Sequence, residues 1–121
     1  MYSSYLSETT HDGVDVCLMS AALTKPQYKA VIDVYFNKVA SKDESLTTLN
    51  TAFSKEGAYI YIPKSKAPKK PIQIVHLATG NEAALMLQPR NLVIVEENAE
   101  VQIIERHHSL TGNEVFTNSV T

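Results

Sequence analysis

The sequence lacks several features that would point to a definite chemistry. Cys17 is the only cysteine among 121 residues, so no internal disulfide can form. The four glycines are scattered singly, which excludes a glycine-rich phosphate-binding loop. Eleven basic and 13 acidic residues nearly balance, which gives no reason to expect nucleic acid or an anionic membrane as a partner. No apolar run approaches the ~20 residues that span a bilayer. These absences predict a soluble protein of the reducing cytoplasm.

Helical spacing is the first positive signal. Thr24 can cap a helix that has Pro26 in its first turn. Six apolar residues follow at helical spacing, and they are predicted to form its core face: Tyr28, Val31, Ile32, Tyr35, Phe36 and Val39.

A second helix is predicted to follow. Ser41 and Glu44 have the spacing of a capping box, and Gly57 can supply the left-handed residue that ends the helix. Its predicted buried residues are Leu46, Leu49 and Phe53.

From Ala58 onward the apolar pattern changes to a period of two, which is typical of strands. Tyr59 and Tyr61 are predicted to face one side of the first strand, and Ile60 and Ile62 the other. Five further strands are predicted at residues 72–77, 85–88, 92–95, 101–107 and 115–120.

Asparagine recurs at the predicted corners between these strands, at Asn81, Asn98 and Asn113. Near-regular turns of this kind suit a β-solenoid, a sandwich or a jelly roll. The run from Leu92 to Val95 is apolar at every position, which favours strands covered on both faces and hence the solenoid. Periodicity alone leaves these architectures open.

Histidines near the end of the fifth strand are the most obvious candidates for metal binding. Glu105 and His107 share a face of that strand, whereas His108 points to the other face. His76 could add a third ligand if neighbouring strands bring it close. Polar side chains at the end of a strand are the simpler interpretation, and we predict no metal site.

Three other groups of residues could carry chemistry, and each has a simpler interpretation. Cys17 has no second cysteine or adjacent base and is predicted to be a small buried side chain. The lysines at 64, 66, 69 and 70 are predicted to lie in a solvated loop. The carboxylates Glu96, Glu97 and Glu100 are predicted to be surface residues. The sequence therefore predicts no catalytic or cofactor-binding residue.

The second half of the chain resembles the SufB/SufD family of iron–sulfur cluster assembly scaffolds, and SufD in particular. Four segments carry the resemblance: Leu49-Asn50-Thr51-Ala52, Pro71 to His76, Pro89-Arg90-Asn91, and Glu97 to His107. Residues 1–40 match less clearly.

The resemblance implies a fold of the α+β class, in which N-terminal helices pack on the first coils of a right-handed parallel β-helix. Residues 1–56 would be the helical region, and residues 57–121 the start of the β-helix core. Leu92, Ile94, Val101 and Ile103 are then expected at interior strand positions.

The resemblance also implies a function. The chain would be a non-catalytic scaffold fragment of a SufBCD-type complex, with a SufB-like subunit and a SufC-like ATPase as partners of the full-length protein. An iron–sulfur cluster would pass through the full complex, with no cofactor in this fragment. The strand-like residues 114–121 predict a truncated solenoid that self-associates through its open end.

The alternative hypothesis is a small β-barrel or jelly-roll domain that binds a metal or ligand, with His76, Glu105 and His107 converging on the metal. An enzyme that uses Cys17 is a third hypothesis.

Overall fold

A computed structural model describes residues 10–11, 13–40, 43–80, 84–110 and 112–121. The predicted capping residue Ser41 and the predicted corner at Asn81 lie outside these ranges. The described elements are, in chain order, β1 Thr10–His11, β2 Val14–Leu18, α1 Met19–Leu23, α2 Pro26–Tyr35, α3 Ser45–Phe53, β3 Ala58–Ile62, β4 Ile72–Ala78, β5 Ala84–Leu87, β6 Leu92–Val95, β7 Ile103–Ser109 and β8 Glu114–Thr117. Among these elements, no helix is both long and apolar enough to cross a membrane.

The described strands form three small sheets. The largest has the order β1-β2-β3-β6, in which β1–β2 and β2–β3 are antiparallel and β3–β6 is parallel. The other two sheets are the parallel pairs β4–β7 and β5–β8. Strands β3, β4 and β5 therefore each pair with the third strand after them in the chain, which is β6, β7 and β8 respectively.

The predicted architecture, helices packed on the first coils of a right-handed parallel β-helix, is wrong. The structure is a small α+β arrangement of separate sheets, and its largest sheet is mixed because β2 runs antiparallel to both its neighbours. Alternating and all-apolar strands suit several small sheets as well as a solenoid, so their pattern did not decide the fold. Self-association of the chain was expected because a truncated solenoid has an open end. Without a solenoid that reason no longer applies, and self-association remains an untested prediction.

Strand β3 separates two apolar clusters, as its alternating sequence predicts. Ile60 and Ile62 are fully buried with Val14 and Ile72 on one side. Tyr59 is buried on the other side against residues of α1 and α2, with Tyr61 at its edge. The prediction for the two faces of β3 is confirmed.

The predicted interior residues of the later strands are divided between these two clusters. Val101 and Ile103 pack against the isoleucine cluster, together with Val93. Leu92 packs on the helix side, in the cluster of Tyr59. Leu92 and Ile94 lie on the same face of β6. The four residues that were predicted to be interior therefore do not all face a single core.

Helix α2 begins at Pro26 in its first turn, with Lys25 rather than Thr24 at the capping position. Its core face is narrower than the sequence predicts. Ile32 is buried, and Tyr28 and Phe36 pack beside it. Tyr35 and Val39 are exposed, and Val39 lies beyond the helix, which ends at Tyr35.

Helix α3 buries a different face from the one predicted, and of the three predicted residues only Leu49 is partly buried. Leu46 and Phe53 are 58% and 54% exposed, whereas Thr47 and Asn50 are buried. Burial of polar residues requires hydrogen-bond partners, and α3 provides them by packing against a polar segment around Arg90.

Two turn positions show contrasting outcomes. Asn98 adopts φ 57°, so the predicted left-handed corner is confirmed there. Gly57 has no positive φ and does not end α3 as predicted. It is needed instead because a Cβ at this position would lie 1.7 Å from the carbonyl oxygen of Arg90.

Candidate functional site

The parallel pairing of β4 with β7 places three ionisable side chains together. His76 lies opposite His107, and Ile74 lies opposite Glu105. Alternate residues of each strand share a face, so His76, Glu105 and His107 all lie on one face of this sheet. We call these three residues the His–Glu cluster.

The two imidazoles converge on one carboxylate oxygen. The Oε1 atom of Glu105 lies 3.0 Å from Nε2 of His76 and 3.4 Å from Nε2 of His107. The two rings are stacked, with centroids 4.6 Å apart and planes at 8°. The side chains are 16%, 24% and 38% exposed for His76, Glu105 and His107, so the cluster is shielded at one end and open to solvent at the other.

Three further side chains hold the carboxylate of Glu105. Ser119 Oγ donates to Oε1 at 2.6 Å, and Asn91 Nδ2 donates to the same atom at 3.3 Å. Thr121 Oγ1 donates to Oε2 at 3.2 Å. Three hydrogen bonds from side chains outside β4 and β7 therefore fix the position of this carboxylate.

These surroundings set the protonation states of the cluster. Burial lowers the pKa of His76, and the neighbouring His107 lowers it further against the opposing pull of Glu105. Burial alone would raise the pKa of Glu105, but the hydrogen bond from Ser119, the charge of His76 and the bonds from Thr121 and His76 together lower it. The arrangement therefore favours a neutral His76 beside an ionised Glu105.

A second polar cluster is built around Arg90, the residue that precedes Asn91 in the chain. Asn50 Nδ2 donates to the carbonyl oxygens of Pro89 at 2.9 Å and of Asn118 at 2.7 Å. The Arg90 guanidinium donates to Asn50 Oδ1, to Thr51 Oγ1 and to Asn37 Oδ1. We call these five residues the Asn–Arg network: Asn37, Asn50, Thr51, Arg90 and Asn118.

The buried members of the Asn–Arg network are Asn50 and Arg90, and neutral oxygens hold the Arg90 guanidinium. Asn50 is 0% exposed and Arg90 4%. Burial lowers the pKa of the Arg90 guanidinium. Hydrogen bonds to buried carbonyl groups stabilise a fold, so these contacts join α3 to the segment that precedes β6.

The sequence predicted part of the His–Glu cluster. Glu105 and His107 share a face and His108 is exposed, as expected. His76 does approach them, although in a two-stranded sheet and not in the barrel of the alternative hypothesis. Asn91, Ser119 and Thr121 were not predicted as its partners. For Asn91 a signal was available in the Pro89-Arg90-Asn91 segment, whereas the strand-like pattern of residues 114–121 does not indicate which distant side chain Ser119 and Thr121 contact.

The other candidates are placed apart from the His–Glu cluster. Cys17 is half-buried, and burial raises the pKa of its thiol in spite of nearby Lys25, which does not suit a nucleophile. Glu96 and Glu97 are exposed as predicted, and each has a partner. Glu96 accepts hydrogen bonds from Tyr61 and from the backbone of Lys64, and Glu97 pairs with the Lys64 side chain.

A comparison with protein families identifies the chain. A family model described as "SufBD protein N-terminal region" matches residues 1–74. The chain belongs to the SufBD family. The match includes the N-terminal residues for which the sequence resemblance was least clear.

Curated relatives agree with the SufBD assignment. The chain is 34% identical over 79 residues to "Iron-sulfur cluster assembly SufBD family protein slr0076" of Synechocystis, which is 65% of this chain and 17% of that protein. It is 28% identical over 85 residues to "Iron-sulfur cluster assembly protein SufD" of Bacillus subtilis, 69% of this chain and 19% of that protein. It is 27% identical over 105 residues to a second Synechocystis SufBD family protein, slr0074, 85% of this chain and 21% of that protein.

The chain thus spans about a fifth of the length of these SufBD relatives. No solved structure matches it.

Proposed function

We propose that this chain is part of a non-catalytic scaffold subunit in an iron–sulfur cluster assembly system. The observation that carries the proposal is the SufBD family match over residues 1–74. The curated relatives support it, because their names describe iron–sulfur cluster assembly proteins.

The internal contacts support a scaffold role. Two of the segments that carry the resemblance meet in the Asn–Arg network, where Asn50 bonds the Pro89 carbonyl and Arg90 bonds Asn50 and Thr51. Their polar groups are used to join α3 to the segment before β6, and Asn50 and Arg90 are buried from solvent. Side chains used in this way position surfaces and are not free to react with a substrate.

In this proposal the full-length protein works with a SufB-like subunit and a SufC-like ATPase in the cytoplasm. The iron–sulfur cluster is the product of the complex and passes through it as cargo. Residues of this chain shape the subunit, and none of them forms a bond to a reaction intermediate.

Co-purification tests the proposed complex. The tagged full-length protein, expressed with the SufB-like and SufC-like subunits of its own organism, is expected to elute with both as one species in size-exclusion chromatography. Elution of the full-length protein without either subunit would contradict the proposed partners.

Genetic complementation tests the non-catalytic role. A strain that lacks the gene is expected to lose the activity of iron–sulfur enzymes such as aconitase, and the wild-type gene is expected to restore it. The Cys17→Ala variant is expected to restore it equally, because the proposal assigns no reaction to the only thiol of this chain. Failure of a folded Cys17→Ala variant to complement would contradict a non-catalytic role.

A further inference from the structure

We propose that the His–Glu cluster binds one divalent first-row transition-metal ion, such as Zn²⁺ or Fe²⁺, through Nε2 of His76, Nε2 of His107 and a carboxylate oxygen of Glu105. The inference rests on the geometry of these three side chains and stands independently of the scaffold proposal.

The spacing of the donor atoms fits such an ion. Imidazole nitrogen and carboxylate oxygen bind Zn²⁺ at about 2.0–2.2 Å, so two donors of a tetrahedral site lie roughly 3.3 Å apart. The two nitrogen–oxygen distances at Glu105 are 3.0 and 3.4 Å. All three donor atoms lie within 4.8 Å of one another, and the two nearly parallel rings must rotate about their side-chain bonds for both nitrogens to face one ion.

The carboxylate is already oriented for this role. Ser119 and Asn91 donate hydrogen bonds to Oε1, the oxygen that the two imidazoles approach, and Thr121 donates to Oε2. Hydrogen-bond donors to a ligating carboxylate are the usual outer layer of a metal site, because they fix the direction of the ligand. These three donors therefore hold the carboxylate beside His76 and His107, where a cation would bind.

The donor set defines the class of metal. Two imidazoles and one carboxylate suit zinc and non-haem iron, whereas magnesium and calcium prefer sites built from oxygen donors. The exposed end at His107, whose side chain is 38% exposed, leaves room for water to complete the coordination shell.

Cobalt and zinc titrations of the purified chain test the site. After removal of metals with a chelator, Co²⁺ is expected to produce a visible d–d absorption that saturates at one equivalent. Zn²⁺ is expected to displace it, and a large excess of Mg²⁺ is not. These readouts need no activity and no partner subunit, so they are separate from the co-purification that tests the scaffold role.

Three variants assign the binding to the named atoms. Glu105→Gln and His107→Gln are each expected to weaken Co²⁺ binding by at least about 100-fold, and Ser119→Ala by about 10-fold, the range found for supporting residues. His108→Gln is the matched control: it removes an exposed imidazole from the other face of the same strand and is expected to retain wild-type affinity.

Circular dichroism shows whether each variant is folded, so that a loss of binding can be distinguished from a loss of structure. Since His107 is partly exposed, His107→Gln is expected to remain folded even if Glu105→Gln is not. The proposal is overturned if folded His107→Gln binds cobalt as tightly as the wild type, or if the wild-type chain gives no cobalt absorption. A loss of binding in His108→Gln equal to that in His107→Gln would also overturn it, because the metal would then be held by surface imidazoles.

Discussion

The Asn–Arg network and the His–Glu cluster lie on either side of two adjacent residues, Arg90 and Asn91, yet they differ in what their polar groups do. Arg90 turns toward α3, where it bonds the buried amide of Asn50 and the hydroxyl of Thr51. Asn91 bonds Ala58 of β3 and Glu105, where two imidazoles remain partly open to solvent. The comparison teaches that buried groups with neutral partners hold the fold, whereas titratable groups near the surface are available to bind a ligand.

The largest expected effect comes from breaking the backbone contact beneath the Asn–Arg network. In Gly57→Ala the new Cβ would lie 1.7 Å from the carbonyl oxygen of Arg90, and the backbone must move to relieve the overlap. We expect a loss of about 3 kcal/mol or more in the free energy of unfolding, at the upper end for overpacked sites. Urea denaturation measures it.

Gly112→Ala is the control for that experiment. A Cβ at Gly112 meets no atom within 4 Å, so unfolding should be unchanged or harder by a few tenths of a kcal/mol. Equal stabilities of the two alanine variants would contradict the close approach at Gly57.

Removal of Asn50 is the next largest change. Asn50→Ala leaves the carbonyls of Pro89 and Asn118 and one Arg90 donor without their partner in a buried site. We expect a loss of roughly 2–3 kcal/mol, since a single unsatisfied buried group costs about 1–3 kcal/mol.

Chemical denaturation at neutral pH measures the Asn50 effect, and Gln27→Ala supplies a matched control. Gln27 also carries an amide on a helix, but it is exposed. A change in Asn50→Ala no larger than in Gln27→Ala would show that the network does not stabilise the fold.

The His–Glu cluster should reveal itself through pH. Burial and His107 lower the pKa of His76 below its ordinary value of 6.5, so the unfolded chain binds a proton before the folded chain does. Its contribution is complete above pH 6.5 and declines as the pH falls toward the folded pKa, by at most about 1.4 kcal/mol per pH unit. The lowered pKa of Glu105 acts in the same direction at lower pH.

Denaturation curves between pH 7 and pH 5, without metal, test this sign. His76→Gln is expected to reduce the pH dependence of the free energy of unfolding, whereas the exposed His108→Gln should keep the wild-type slope. A steeper loss of stability in His76→Gln would refute the assigned direction.

The smallest effect on the free energy of unfolding is expected at a surface ion pair. Lys29 and Asp33 lie one helical turn apart with Nζ and Oδ2 separated by 2.7 Å, but their side chains are 54% and 60% exposed. Solvent screens such pairs, and a double-mutant cycle with Lys29→Ala and Asp33→Ala should give a coupling below about 0.5 kcal/mol. A coupling energy larger than the loss of stability in Asn50→Ala would contradict the expected order of effects.

Local patterns in the sequence predicted the elements better than their arrangement. The alternation in Ala58–Ile62 correctly predicts a strand with tyrosines on one face and isoleucines on the other. The start of α2 at Pro26 follows from the fixed φ of proline. The short helix α1 was not predicted, because Met19–Leu23 lies next to a strand and is only five residues long.

Contacts between distant segments account for the errors. Leu46 and Phe53 have the helical spacing of a core face, but α3 turns Thr47 and Asn50 inward because Pro89 and Asn118 offer buried carbonyls. The same limit applies to the sheets. The pairing of β2 with β3, which makes the largest sheet mixed, cannot be inferred from the apolar alternation of either strand alone.

The candidate site illustrates both cases. Glu105 and His107 could be assigned to one face of a strand from their spacing alone. The approach of His76 depends on the register that pairs Ile72 with Ile103, two residues that lie 31 positions apart in the chain. Ser119 and Thr121 reach Glu105 only because the last segment returns beside β6, through the bridge of Arg90 with Val120.

The division of the core by β3 limits where this chain can change its length. Insertion or deletion of one residue within Ala58–Ile62 would exchange the two faces, and it would push phenol rings into the space shaped for isoleucine. The exposed lysine-rich loop between β3 and β4 has no such constraint. Variation in length is therefore expected to accumulate in that loop, while the number of residues in the strand stays fixed.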